Sequence, residues 1–378
     1  MSSRRYQLQD PELNQSVEDL VERASELYGV EVGAEYVREI LVTGLRLLHD
    51  GAAPSDIRLT NNALKELRHA FRVFSPYAHH RKVAVFGSSR TKAGSPDWEQ
   101  ARLFAEKIVL AGWMVITGAG SGIMAAAQGG AGREASFGVN IRLPFEQAAN
   151  EVIADDHKLI NFRYFFTRKL IFVKEAHAIA LFPGGFGTHD EGNEALTLIQ
   201  TGKGEILPVV FIDRPGGSYW KDWSAYVNTH FYEEGFISPE DLSLFSVTDD
   251  IDTAISEILN FYSNYQSSRW VHDRLVLRVH QAPNDEELDQ LNADFKDIVV
   301  EGEIEVSEGL PQEGGEMAEL PRVVLRCGRG KRGRIRRLID ALNELVPHVS
   351  SPPAEASPPE ILPEPMPDSA ETAEDAED

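Results

Sequence analysis

Apolar residues recur at helical spacing near the start of the chain. In SVEDLVERASELYGV they fall at Val17, Leu20, Val21, Ala24 and Leu27, along one face of a helix. AEYVREILVTGLRLLHDG continues the pattern and stops at Gly51. NNALKELRHAFRVFSPYA opens on an asparagine cap and ends before Pro76. Residues 1–80 therefore read as a helical segment, whose default role is core packing or a dimer surface.

From about residue 81 the period changes. KVAVFGSS, MVITGAGSG, SFGVNIRL, AIALFPGG and ILPVVFID are short apolar runs, three of them ending in small residues, and each suits a buried strand. Between them lie helical stretches: PDWEQARLFAEKIVLAGW, IMAAAQGGAG, YFFTRKLIFVKEA and YWKDWSAYVNTHFYEEG. Regular alternation of strand and helix predicts an α/β fold, a doubly wound and mostly parallel Rossmann-like sheet, over residues 81–266. Sheets of this kind bind ligands at the carboxyl ends of their strands. Three strands end in bare turns there, Gly87-Ser88-Ser89, Gly118 to Gly122 and Gly184 to Gly187, and all three can face one crevice.

A third pattern follows over residues 267–346. RLVLRVHQ, GEIEVS and RVVLRC alternate like strands, and DEELDQLNADFKDIV and GRIRRLIDALNEL read as amphipathic helices. The expectation is a small β-α-β-β-α accessory domain. Its run RCGRGKRGRIRR holds Arg326, Arg329, Lys331, Arg332, Arg334, Arg336 and Arg337. The run is either a site for a phosphate-bearing effector or a solvated basic face on an acidic protein. Residues 347–378, rich in Pro, Ala, Ser and acids with no Lys or Arg, read as a disordered tail.

Composition narrows the function classes. The chain has 378 residues, 42% hydrophobic content and a formal net charge of −23. That balance argues against nucleic-acid binding by the surface as a whole. No apolar stretch is long enough for a bilayer, and MSSRRYQLQDPELNQSVEDL has no signal-peptide core, so a cytoplasmic protein without membrane contact is expected. The single Cys327 excludes an internal disulfide and a cysteine-rich metal site.

The candidate chemistry lies in IALFPGGFGTHDEGNEAL, Ile179 to Leu196. Here a buried strand runs into a nearly side-chain-free turn and then a helix. Glycines let backbone N–H groups approach a ligand, and the helix N-terminus adds unpaired N–H groups with partial positive charge. The result is a cradle for phosphate or carboxylate, with a tight turn as the plain alternative. It is not a Walker loop, because no lysine follows the last glycine. Thr188 and Glu191 have capping-box spacing, and that alone accounts for both. The sharper alternative turns Glu191 into the cleft beside a phosphorylated sugar, where a carboxylate stabilises an oxocarbenium ion or orients water. Spacing leaves both open.

These residues resemble the LOG family, often labelled lysine decarboxylase-like. Its PGGxGTxxE signature is matched by Pro183 to Glu191, its Arg-Lys pair by Arg168-Lys169, and its second glycine loop by TGAGSGIMAA, with Gly122 and Met124 in place. The TGxGxGxM form is similar to the larger bacterial nucleotide nucleosidases. The resemblance covers about residues 82–265 and implies a phosphoribohydrolase. Such an enzyme cuts the N-glycosidic bond of a nucleoside 5′-monophosphate, AMP-like or cytokinin-type, into free base and ribose 5-phosphate. It implies Arg168 and Glu191 as catalytic residues and Gly184, Gly185, Gly187 and Thr188 as the phosphate site. Gly87, Ser88, Gly120, Gly122, Met124, Lys169 and Glu194 would serve the nucleotide. No cofactor and no metal is expected, and a homodimer or higher oligomer is. His189, where the family usually has an apolar residue, and Gly192 depart from the pattern. The competing expectation is a non-catalytic carrier of a nucleotide or phosphorylated cofactor. A dinucleotide oxidoreductase is disfavoured, because GAGSG lacks GxGxxG spacing.

Overall fold

The computed structural model describes residues 6–30, 32–142, 149–328 and 330–347. The expected tail from residue 348 and Arg329 of the basic run lie outside these. The chain divides into two compact units, Met1–Arg68 and His69–Asp378.

The first unit contains α1 (Pro11–Tyr28), α2 (Ala34–His49) and most of α3 (Pro54–Phe74). Asp10 caps α1 by accepting from the N–H groups of Glu12 and Leu13, and Gly29 closes it in the left-handed region. Val17, Val21 and Val42 form its small core with Leu8, Leu41 and Leu45. The third helix does not start at the expected Asn61. It starts at Pro54, whose fixed φ and missing N–H suit a first helical turn.

The second unit alternates β1 (Lys82–Phe86), α4 (Pro96–Leu110), β2 (Met114–Thr117), α5 (Ile123–Ala131), β3 (Ser136–Ile141) and β4 (Leu159–Phe162). It continues with α6 (Phe165–Glu175), β5 (Ala178–Leu181), α7 (Phe186–Gln200), β6 (Val209–Ile212), α8 (Tyr219–Val227), β7 (Ser246–Thr248) and α9 (Ile251–Phe261). The seven strands form one parallel sheet in the order β4-β3-β2-β1-β5-β6-β7. KVAVF, MVIT, AIAL and VVFI are buried throughout, as strands covered on both faces must be. On one face Val83, Val85, Ala178, Ala180 and Val210 pack against Phe104 and Ile108 of α4 and Ile255 and Ile258 of α9. On the other, Phe86 meets Phe172 of α6 at 4.8 Å, and Phe211 meets Trp220 of α8 at 4.6 Å. The winding direction reverses between β1 and β5. In sheets of this kind the loops at such a point part to either side, and ligands bind in the crevice left above the strand ends.

After the parallel sheet come β8 (Tyr265–Val271), β9 (Arg274–Val279), α10 (Asp285–Asp294), β10 (Val299–Ser307), β11 (Arg322–Cys327) and α11 (Arg332–Glu344). Their strands form an antiparallel sheet ordered β10-β11-β9-β8. The expected β-α-β-β-α order is therefore corrected to β-β-α-β-β-α, because β8, YQSSRWV, is a strand of its own. The basic run is largely committed to internal partners. Arg326 meets Glu301 and Asp273, Arg332 donates to the Gly202 carbonyl, and Arg334 meets Asp297 at 2.6 Å. Arg336 meets Glu257 at 2.7 Å and Asp340 at 2.8 Å, which ties α11 to α9. Among the described residues no helix is long and apolar enough to cross a membrane.

Candidate active site

The three bare turns meet where the sheet changes direction. The Ser88 N–H, just after β1, donates to the Pro183 carbonyl, just after β5, at 3.2 Å. Ser88 in turn accepts from the Ile123 N–H at 3.0 Å, and the Ser121 hydroxyl donates to the Ser89 carbonyl at 2.9 Å. Side chains would prevent this closeness. A Cβ on Gly122, whose φ is +67°, would sit 2.2 Å from the Ser88 oxygen. A Cβ on Gly184 would sit 2.1 Å from the Thr188 hydroxyl. At Gly185 a Cβ would meet nothing within 4 Å, so that turn residue borders open space.

The helix that follows removes one of the two readings of Thr188 and Glu191. α7 starts at Phe186, two residues before the expected start, with Gly185 as its N-cap. The Gly185 carbonyl accepts from the N–H groups of Thr188 and His189 at 3.1 and 3.2 Å. Thr188 is thus inside the helix and buried, and no side chain caps this end. The capping-box explanation does not hold. The first amides of α7 have no partner further along the helix and stand at the positive end of its dipole, beside the open space at Gly185.

Glu191 lies on α7 with its side chain 12% exposed. Burial pushes its carboxyl above the ordinary 4.5, and the nearby charges of Lys169 and Arg168 pull against that. Lys169 on α6 reaches Glu194 at 2.6 Å, Asp190 at 2.8 Å and Glu191 at 3.6 Å. Burial disfavours its charge, but these carboxylates outweigh it and hold the ammonium well above its usual range. Lys169 and Glu194, expected at the nucleotide, here meet each other and fix the surroundings of Glu191. Arg168 sits one residue earlier on α6. Its Nε donates to the Val139 carbonyl of β3 at 2.9 Å, and its guanidinium lies 5.2 Å from the Phe172 ring centre. A Cβ on Gly118 would touch Arg168 Nη2 at 2.5 Å and Met124 Sδ at 2.9 Å, and one on Gly120 would touch Met124 Cε at 2.7 Å. Arg168 and Met124 therefore pack on the bare turn after β2. A Cβ on Gly87 would strike Ile123, so that turn too lies close under α5.

Two contributors went unread in the sequence. Tyr219, the first residue of α8, donates its hydroxyl to the Gly184 carbonyl and is met by His189 Nε2 at 2.7 Å. A trans peptide points its N–H away from its C=O, so this bond turns the Gly185 N–H to the opposite side. Asn150 binds the carbonyls of Ala119 and Gly120, each at 3.0 Å, and Gln128 at 2.6 Å. It clamps Ala119, which is held at φ +61°. An alanine there costs about 1–2 kcal/mol, and the surrounding bonds must overcome it. The Gly216-Gly217-Ser218 turn before Tyr219 was the available signal for that residue; nothing local marks Asn150. Among the described residues no group of His, Cys, Asp and Glu is arranged to hold a metal ion.

Residues 122–258 match the family described as "Possible lysine decarboxylase". The chain carries a LOG-family domain. The match includes the glycine turn, Arg168 and Glu191 and begins at Gly122, after β1. No curated protein matches the chain. Similar solved structures include the molybdenum cofactor carrier protein of Chlamydomonas reinhardtii, 21% identical, covering 48% of this chain and 96% of that one, with a TM-score of 0.34. A molybdenum cofactor binding protein of Rippkaea orientalis is 18% identical, covering 48% of this chain and 96% of its own, with a TM-score of 0.35. TM1055 is 20% identical over 47% of this chain and 98% of its own, with a TM-score of 0.34. Likeness at this level carries nothing about what the LOG-family domain binds.

Proposed function

We propose that the crevice hydrolyses the N-glycosidic bond of a nucleoside 5′-monophosphate, AMP-like or cytokinin-type, to free base and ribose 5-phosphate. The observation that carries this reading is the placement of Glu191 on the helix whose N-terminus forms the anion cradle. Glu191 is five residues beyond Phe186, about 7.5 Å along the axis. A phosphate at the first amides of α7 leaves the sugar to extend toward that carboxylate. Departure of the base builds positive charge on the ribose, and an ionised Glu191 opposes it or orients the attacking water. Burial makes Glu191 the better proton acceptor, and the cations around it keep it available as a carboxylate. Arg168, whose charge reaches Glu191, serves the departing base and its pocket.

The test is incubation with AMP, GMP, CMP, UMP and isopentenylated AMP, followed by chromatography for free base and ribose 5-phosphate. Release from at least one of them supports the reading. Tight binding of all or some without release would instead mean a carrier of phosphorylated ligands.

A further inference from the structure

Parallel strands have two functional edges, and the one opposite the crevice also has an opening. A cavity of about 250 Å³ lies where the strands begin, between the parallel sheet and the antiparallel one. Arg81, just before β1, and His177, just before β5, line it together with Glu205, Tyr262, Gln266 and Ser267. Two of these residues hold buried polar atoms with no hydrogen-bond partner among the described residues: the donor Arg81 Nη1 and the acceptor Gln266 Oε1. Leaving such an atom unsatisfied is costly, so a donor and an acceptor left unpartnered on two residues that line one cavity call for a common explanation.

Arg81 also differs from most of the enclosed arginines. Arg38 meets Glu35, Arg278 and Arg322 meet Glu313, and Arg336 meets Glu257 and Asp340. Arg81 has no carboxylate within ion-pair distance among the described residues, and its guanidinium instead lies 3.5 Å from the Tyr262 ring centre. Glu205, a carboxylate in the lining, is pushed above its ordinary value by burial, against the pull of Arg332 and Arg278. His177 is driven down to about 4 by burial first and then by Lys82 and Arg81, so it is neutral. Its Nδ1 accepts from the Lys82 backbone N–H at 3.2 Å, which leaves the proton on Nε2.

We propose that this cavity binds a small carboxylate that also carries a hydrogen-bond donor, of the hydroxy-acid or amino-acid class. The carboxylate supplies the partner Arg81 lacks, and the ligand's own donor meets Gln266 Oε1. A volume of about 250 Å³ has room for a small carboxylate of this class. The site stands at the foot of β1 and β5, the two strands whose other ends carry the glycine turns, so it is independent of the proposed reaction.

Calorimetric titration and thermal melting with L-lactate, glycine and L-serine test the proposal, with acetate, inorganic phosphate and chloride at matched ionic strength as controls. The expected result is a melting temperature that rises with the concentration of at least one donor-bearing carboxylate, with acetate weaker. Arg81→Met and Gln266→Leu should each weaken that binding by roughly tenfold or more. Gln266→Leu keeps the test valid if Arg81→Met fails to fold. Glu191→Gln, at the opposite edge, should bind the carboxylate as the unaltered chain does. Any one of four results overturns the proposal: no carboxylate binding better than chloride, phosphate alone binding, binding untouched by both cavity variants, or binding lost in Glu191→Gln. A cavity that holds only water gives the first of these.

Discussion

Glu191 and Gly185 separate chemistry from folding at the level of single residues. A buried carboxyl with a raised pKa costs stability as pH rises, because between its unfolded and folded values the native state holds the proton more tightly. Glu191→Gln should therefore melt at or above the unaltered chain at neutral pH, and that advantage should fade below the ordinary carboxylate value of 4.5. Base release should fall about 10²–10⁴-fold in the same variant. Its melting curve and turnover measured together decide the matter, and full activity would remove Glu191 from the reaction. In the unaltered protein the acid limb of the activity profile should lie above 4.5, since the proposed role needs Glu191 ionised. Gly185→Val makes the converse test. Its backbone is extended, with φ −90° and ψ −156°, and its Cβ has room, so the variant should fold normally. The new side chain would occupy the open space at the cradle, and nucleotide affinity measured by calorimetry should drop at least roughly tenfold.

Between elements, the glycine turn depends on α8 as much as on its own sequence. Tyr219→Phe removes the hydroxyl that holds the Gly184 carbonyl and leaves the ring against Trp220. One such hydrogen bond is worth about 0.5–1.5 kcal/mol, so the fold should survive with a small change in melting temperature. KM for a nucleoside monophosphate should rise more than kcat falls, because the bond orients an amide proposed to bind the phosphate. Steady-state kinetics that leave KM unchanged would show that the turn keeps its shape unaided. Most elements of the parallel sheet were legible in the sequence, since strands covered on both faces must be apolar throughout. β4 and β7 were not, because LINF and SVT are too short and too partly exposed to show a period. β8 was hidden by its polar centre, QSSR.

Across the molecule, the second sheet rests on a buried ion network. Glu313 accepts from Arg278 at 2.8 Å and Arg322 at 3.1 Å, with all three side chains at most 5% exposed. Burial works against its charge, but the Leu310 N–H and the two guanidinium groups prevail and bring the carboxyl down to about 2. A depressed carboxyl stabilises the fold above its unfolded value, so this contribution should be lost as pH falls from about 4.5 toward 2. Glu313→Ala leaves two arginines buried without their carboxylate and should cost about 3–5 kcal/mol in denaturant unfolding. At the level of assembly, we expect at least a dimer. Phe165, Phe166 and Leu170 expose an apolar surface on α6, and a single-chain species in sedimentation at micromolar protein would end that expectation.

The sequence by itself determined the α/β architecture, the bare turns at three strand ends and the named residues Arg168 and Glu191. Buried strands, turns and a family motif are local patterns, and each constrains its own neighbourhood. Only the tertiary structure decided what surrounds them. The spacing of Thr188 and Glu191 is the same in a capping box and in an open cleft; the choice came from α7 starting at Phe186, with the Gly185 carbonyl taking the Thr188 and His189 amides. Lys169 finds its carboxylates, Tyr219 finds Gly184 and Asn150 finds Ala119 across separations of 21 to 35 residues. Contacts at that range depend on how strands stack and where winding reverses, which no window along the chain contains.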